Sequence, residues 1–347
     1  MIAFSRVAGL IGAFLIVAST TPSRGQTDEG ALARLTHALA AEEADDSKTS
    51  PYLLPVIEEL AQAQLRDGAL GQAAVLRRRA LDIAVAAFGC ESASAAEAMA
   101  ALGLIDIDRR RYLDAEPLLI VAERVLRARV TADHPAMATI FAGLARIALA
   151  HGDKIRAEGW ANHALAIARR NPDSRSAEPL RTLGAVLTAE ERFPESEAVL
   201  TEALAQDRRQ HGAGGVETAR SLAQLANLDL REGKAGDALP LLEEAAAIDR
   251  GRLGPAHPFI ADDLHDLGLA YDALHRGEAA RAAFTAALDI LKRGAGRETP
   301  RVAYVEIELS RLYRQQGEAE AADAAFKDAR RILNKAEAEE HRRERQV

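Results

Sequence analysis

The sequence predicts an all-α protein, a solenoid of about seven stacked helical hairpins. Three observations predict it. Alanine makes up about a fifth of the 347 residues while aromatics are only 4%. That balance suits close-packed helices better than strands, which favour β-branched and aromatic side chains. The chain repeats itself every 42 residues, with a single interval of 39. Each repeat holds two apolar-periodic runs separated by a glycine-type break, the pattern of a helix, a tight turn and a second helix.

The first 25 residues differ from the rest. Arg6 supplies a positive start, an apolar run follows from Val7 to Ala18, and then comes the polar stretch STTPSRGQ. This is the layout of a secretory signal peptide. The run of twelve residues falls short of the ~20 that cross a bilayer as a helix. Cleavage after Gly25 places Ser23 and Gly25 at the small-residue positions, and cleavage after Ser19 is nearly as good. No cysteine follows the run, which excludes a lipoprotein anchor. The expected location is periplasmic or secreted. The alternative is an uncleaved N-terminus anchored in the inner membrane. Residues 26–50 read as a capping helix, Asp28 to Ala44, and a short polar loop.

Seven units occupy residues 51–341, with starts at Pro51, Ala93, Pro135, Ser174, Val216, Pro258 and Pro300. The eleventh place is always small: Ala61, Gly103, Ala145, Gly184, Ala226, Gly268, Ser310. The eighteenth carries Gly68, Gly152, Gly233 and Gly317, with Arg110, Glu191 and His275 in the other three units. A left-handed C-cap favours glycine there, so helix A ends at that place and helix B follows. The thirtieth place is alanine in every unit, Ala122, Ala164 and Ala245 among them. Small residues let helix backbones approach, and larger ones such as Leu119, Leu200 and Phe284 fill the space beside them. A lone hairpin cannot bury its face, so neighbouring units stack. Residues 342–347 form a charged tail, and Glu339 with Arg343 is an i,i+4 pair that reaches into it.

The pattern L-(A/G)…G…A…F/L…A resembles the tetratricopeptide repeat. The junction LGPAHP and the pair His134–Pro135 make it similar to the 42-residue repeat of kinesin light chains. The resemblance implies a right-handed superhelix whose A helices line a concave groove, and a role in protein–protein interaction.

Nothing in the sequence points to catalysis, and no cofactor is expected. There is no Walker A motif, no G-x-S-x-G elbow and no H-E-x-x-H pair. Asp262, His265 and Asp266 share a helix face beside His257 and Asp263. Polar residues on an exposed helix account for that group, so no metal site is expected. Trp160 reads as a packing residue. Cys90 is the only cysteine, so no intramolecular disulfide or cysteine-based metal site can form. The net charge of −8 disfavours nucleic acid as a partner. Of the 44 basic residues six are lysine and the other 38 arginine, a bias that fits a GC-rich bacterial genome.

By the same resemblance, the groove is lined from the fifth, eighth, twelfth and fifteenth places of each unit. In the third to fifth units those places carry Arg146, Arg181, Arg220 and Asn227, with Arg231 adjoining, and in the sixth they carry Asp262, His265 and Asp272. Arginine forms paired hydrogen bonds with carboxylates, and asparagine can hold a peptide backbone. The reading is an exported, non-catalytic scaffold. Its partner would be a protein or peptide, acidic or bearing a free C-terminal carboxylate. The other readings are a membrane-tethered envelope assembly factor or chaperone and, from another class, a metal-dependent or enzymatic factor.

Overall fold

Small residues with few β-branched neighbours favour helix throughout, and helix is what the chain forms. The structure, a computed structural model, describes residues 26–45, 48–129, 133–171, 176–294 and 299–344. The leader expected over residues 1–25 lies outside them, as do the side chains of Glu339 and Arg343.

Helix α1 (Gln26–Asp45) covers the first unit, and a 3-10 turn at Pro51–Leu53 leads into it. Seven hairpins follow: α2 (Leu54–Arg66) with α3 (Leu70–Phe88), and α4 (Ala93–Asp108) with α5 (Tyr112–Arg129). Next come α6 (Pro135–Ala150) with α7 (Lys154–Arg170), and α8 (Glu178–Ala189) with α9 (Phe193–His211). The last three are α10 (Val216–Arg231) with α11 (Ala235–Leu253), α12 (Pro258–Ala273) with α13 (Gly277–Gly294), and α14 (Pro300–Gln315) with α15 (Ala319–Glu344). No strand occurs among the described residues.

Local chemistry sets the ends of these helices. The Ser92 hydroxyl accepts the Ala95 N–H at 3.2 Å, and the Asp153 carboxylate accepts that of Arg156 at 3.0 Å. Such caps satisfy donors that the first helical turn leaves free. His134 and His257 act likewise through Nδ1, ahead of the first-turn prolines Pro135 and Pro258.

Every A-to-B turn is the same left-handed cap. In the sixth hairpin His275 donates its N–H to the Asp272 carbonyl at 2.9 Å, and Arg276 donates to Tyr271 at 2.8 Å. Equivalent pairs close the other six turns. The capping residue has positive φ in all seven, including Arg110 at 57°, Glu191 at 63° and His275 at 57°. A Cβ in that region costs about 1–2 kcal/mol. His275 is exposed, so His275→Gly should raise the urea-unfolding free energy by about 1 kcal/mol. No gain, or a loss, would mean that the imidazole contributes more than the backbone strain it brings.

Packing follows the small-residue register. A Cβ added at Gly184 would stand 2.3 Å from Leu200, and one at Gly268 2.5 Å from the Phe284 ring. The glycines are where helix B presses its largest side chain onto helix A. Ala122, Ala164, Ala245, Leu200 and Phe284 are fully buried. Between hairpins, A helices touch A helices, α4 with α6, α6 with α8, α8 with α10 and α10 with α12. Among the described residues the B helices make no comparable contacts with each other. The A helices therefore converge on the inner side of the curve while the B helices fan outward.

The curve closes on itself. Gly68, at the first turn, sits so near the sixth hairpin that a Cβ there would lie 2.5 Å from Pro258 and 2.6 Å from the His257 ring. Arg110, at the second turn, reaches the sixth and seventh hairpins.

Candidate functional site

The inner face is built from the A helices, and a run of charges crosses its centre. Arg146 on α6 donates to Asp108 at the end of α4 at 2.7 Å and lies 3.8 Å from Glu178 at the start of α8. One turn further, Arg181 donates to Glu178 at 2.8 Å and to Asp207 on α9. The same Asp207 oxygen accepts the Ser221 hydroxyl of α10 at 2.6 Å. Four consecutive hairpins are joined by this chain of partners. Burial acts to raise the Glu178 carboxyl, but Arg181 and then Arg146 overcome it and hold it at about 2.

This arrangement corrects part of the sequence reading. Arg181 does not line an open groove. It is 7% exposed, and its guanidinium is divided between two carboxylates at the meeting of α8, α9 and α10. A register signal was present, since the same eighth place holds alanine at 100, 142 and 223, of which Ala100 and Ala142 are buried. Arg146 is half-exposed, but its guanidinium already faces Asp108 and Glu178.

Arg220, Asn227 and Arg231 remain exposed along α10. The Arg220 guanidinium lies 4.6 Å from the centre of the Phe259 ring on α12, a cation–π distance. Near the closure, Arg110 faces Asp262, His265, Arg301, Tyr304 and Glu308 across a cleft of about 370 Å³. Tyr304, 51% exposed, stands at the fifth place of its unit, a groove position at which sequence reasoning attended only to charge.

Arginine abundance has a structural use here. Arg156 pairs with Glu116 at 3.1 Å, Arg192 with Glu158 at 2.5 Å and Arg311 with Asp272 at 2.7 Å, each across a repeat boundary. Exposed pairs of this kind are individually weak, but the planar fork of arginine suits bridging between helices.

The polar group around His257 is not assembled as a ligand set. His257 caps α12, Asp262 pairs with Arg301, and His265 bonds Asp266 at 3.1 Å. Among the described residues no three His, Cys, Asp or Glu side chains are placed to hold a metal ion. Nor is any described helix long and apolar enough to cross a membrane. Trp160 lies parallel to Phe141 with ring centres 5.2 Å apart, and Cys90 is exposed.

A family model described as tetratricopeptide repeat matches residues 175–251 and 224–293. Over those residues the chain is similar to tetratricopeptide repeats. Solved structures with TM-scores above 0.5 share the fold. The APC/C hetero-tetramer Cut9–Hcn1 is 15% identical with a TM-score of 0.61, over 88% of this chain and 50% of that one. A Rap protein complexed with competence and sporulation factor is 13% identical with a TM-score of 0.56, over 89% of this chain and 98% of that one. Kinesin light chain repeats from Podosopora anserina are 22% identical with a TM-score of 0.45, over 58% and 98%. No curated protein matches the sequence.

Proposed function

We propose that this tetratricopeptide-repeat chain is an exported, non-catalytic scaffold that holds a protein or peptide on its inner face. The observation that carries the reading is the solvent-facing side of α10. Arg220, Asn227 and Arg231 stay exposed there while the neighbouring arginines are engaged with carboxylates of the chain itself. Two guanidiniums and an amide on one helix suit an acidic segment or a free C-terminal carboxylate. A Rap protein of similar fold was solved in complex with competence and sporulation factor, which supports a ligand-holding role.

The test is capture from the native cell envelope. Wild-type protein should retain a partner that elutes as salt is raised, because exposed charges are screened beyond about 8 Å at physiological ionic strength. The double variant Arg220→Glu, Arg231→Glu should lose it with helicity unchanged, and Arg78→Glu on the outer helix α3 should keep it. Loss in the outer variant with retention in the double variant would move the binding surface to the convex side. For export, Leu15→Arg should trap the protein inside the cell, since a charge in a short apolar run opposes insertion. Equal export of both forms would end that part of the reading.

A further inference from the structure

Two successive junctions occupy the same places in the 42-residue register but carry different chemistry. Between the fourth and fifth hairpins, Asp207 is matched by Arg181 and by the Ser221 hydroxyl. Forty-two residues further on, Asp249 stands in the place of Asp207, Asp263 in that of Ser221 and Ala223 in that of Arg181. The second junction has thus gained a carboxyl group and lost its cation. Both carboxyl groups are deeply buried, Asp249 at 3% and Asp263 at 6% exposure. Asp249 Oδ1 and Asp263 Oδ2 are shut off from solvent and have no hydrogen-bond partner.

Nearby charges do not replace the missing arginine. Asp249 feels Arg220 and Glu217 from α10, which oppose each other. Asp263 feels Asp249 and Arg250 from α11, and Asp262 and Asp266 from its own helix, so acids dominate. On α13, Arg281 pairs with Glu318, Lys292 with Glu306 and Arg293 with Asp289. Arg301 on α14 pairs with Asp262. Two buried carboxylates facing such surroundings cannot both stay ionised without a heavy desolvation and repulsion penalty.

We propose that Asp249 and Asp263 hold one proton between them, and that this shared proton latches the fifth hairpin to the sixth. Desolvation first, and then the neighbouring Asp249 charge, pushes Asp263 up to about 8, while desolvation lifts Asp249 to about 6. The direction of the effect follows from linkage. Both pKa values are raised on folding, so the closed junction binds protons that an open, solvated one has released. Its stability is greatest in acid, falls as pH rises and levels off above about 8. His257, held below the usual imidazole range by burial, charges only at lower pH. On the same helix, burial lowers the His265 imidazole but Asp266 and then Asp262 raise it above its ordinary value overall, so it loses its proton in the same region, and the acid pair is read in a His265→Gln background.

The latch bears on the rest of the molecule through the first turn of α12. His257 and Pro258 there meet the Gly68 turn, and Phe259 carries the Arg220 guanidinium. Loss of the proton would loosen both contacts together.

Amide exchange in α12 in the His265→Gln background, with its intrinsic pH dependence divided out, tests this. The opening constant should rise about tenfold per pH unit from pH 6.5 to 8 and then flatten. The variant Ala223→Arg, Asp263→Ser transplants the preceding junction and should show no such rise. Carboxyl-carbon NMR should show Asp263 half-titrated near pH 8. A flat profile in the His265→Gln background, an equal rise in the transplant, or half-titration of both acids below pH 5 would each overturn the proposal. Calcium titrated at fixed pH should leave wild-type protection unchanged. A shift would mean that the pair holds a cation instead of a proton.

Discussion

Replacing Arg181 by alanine is expected to destabilise the protein by about 3–5 kcal/mol, the usual penalty for leaving a buried charge without its partner. The carboxylate left behind would be Asp207, 1% exposed and held then only by Ser221. Urea denaturation measures the loss, and amide exchange should place it in α8, α9 and α10. A loss below about 1 kcal/mol would mean that water reaches Asp207 and that the charge chain holds little. The same chain predicts an acid limb. Glu178 has its carboxyl lowered to about 2 in the folded state, so its contribution is complete above the unfolded value near 4.5 and disappears as pH falls toward 2. Glu178→Gln should be less stable at pH 7, and its stability should fall less than that of wild type between pH 5 and 2.

The second large effect belongs to Phe284. Its ring is fully buried and lies over Gly268. Phe284→Ala should cost about 3–5 kcal/mol, because the emptied space is bounded by helix backbone that relaxes only in part. Because repeat arrays couple mainly between neighbours, lost protection should centre on α12 and α13 and on the hairpins beside them. Even loss of protection along the whole chain would show that the molecule unfolds as one cooperative body. Gly268→Ala probes the same contact from the other side and should also destabilise, since the added methyl must displace the ring.

Much of the fold was legible in the sequence because repetition turns packing into register. The small eleventh place, the capping eighteenth place and the alanine at the thirtieth each report one local contact made seven times. The left-handed cap persists even where Arg110, Glu191 or His275 replaces glycine, so neighbouring repeats reveal what a single unit would hide. The inner face was legible only in part. Arg220, Asn227 and Arg231 are exposed as their places imply, whereas Arg181 is drawn inward by Asp207 on a B helix that groove reasoning left out. The contrast between Asp207–Ser221 and Asp249–Asp263 is visible in an aligned register, but its meaning depends on burial. The meeting of Gly68 with His257 could not be read at all. It depends on small rotations accumulated over five hairpins, and no local pattern records their sum.

That meeting gives the molecule a way of counting. In an open array a duplicated hairpin simply lengthens the rod, and such proteins readily gain or shed whole units. Here the first turn rests on one particular junction. An extra hairpin inserted between them would carry Gly68 past Pro258, and a deleted one would stop it short. Internal unit number is therefore constrained by fit, while hairpins added beyond α15 would escape that constraint. Changes in length should be tolerated at the C-terminal end and rejected in the middle.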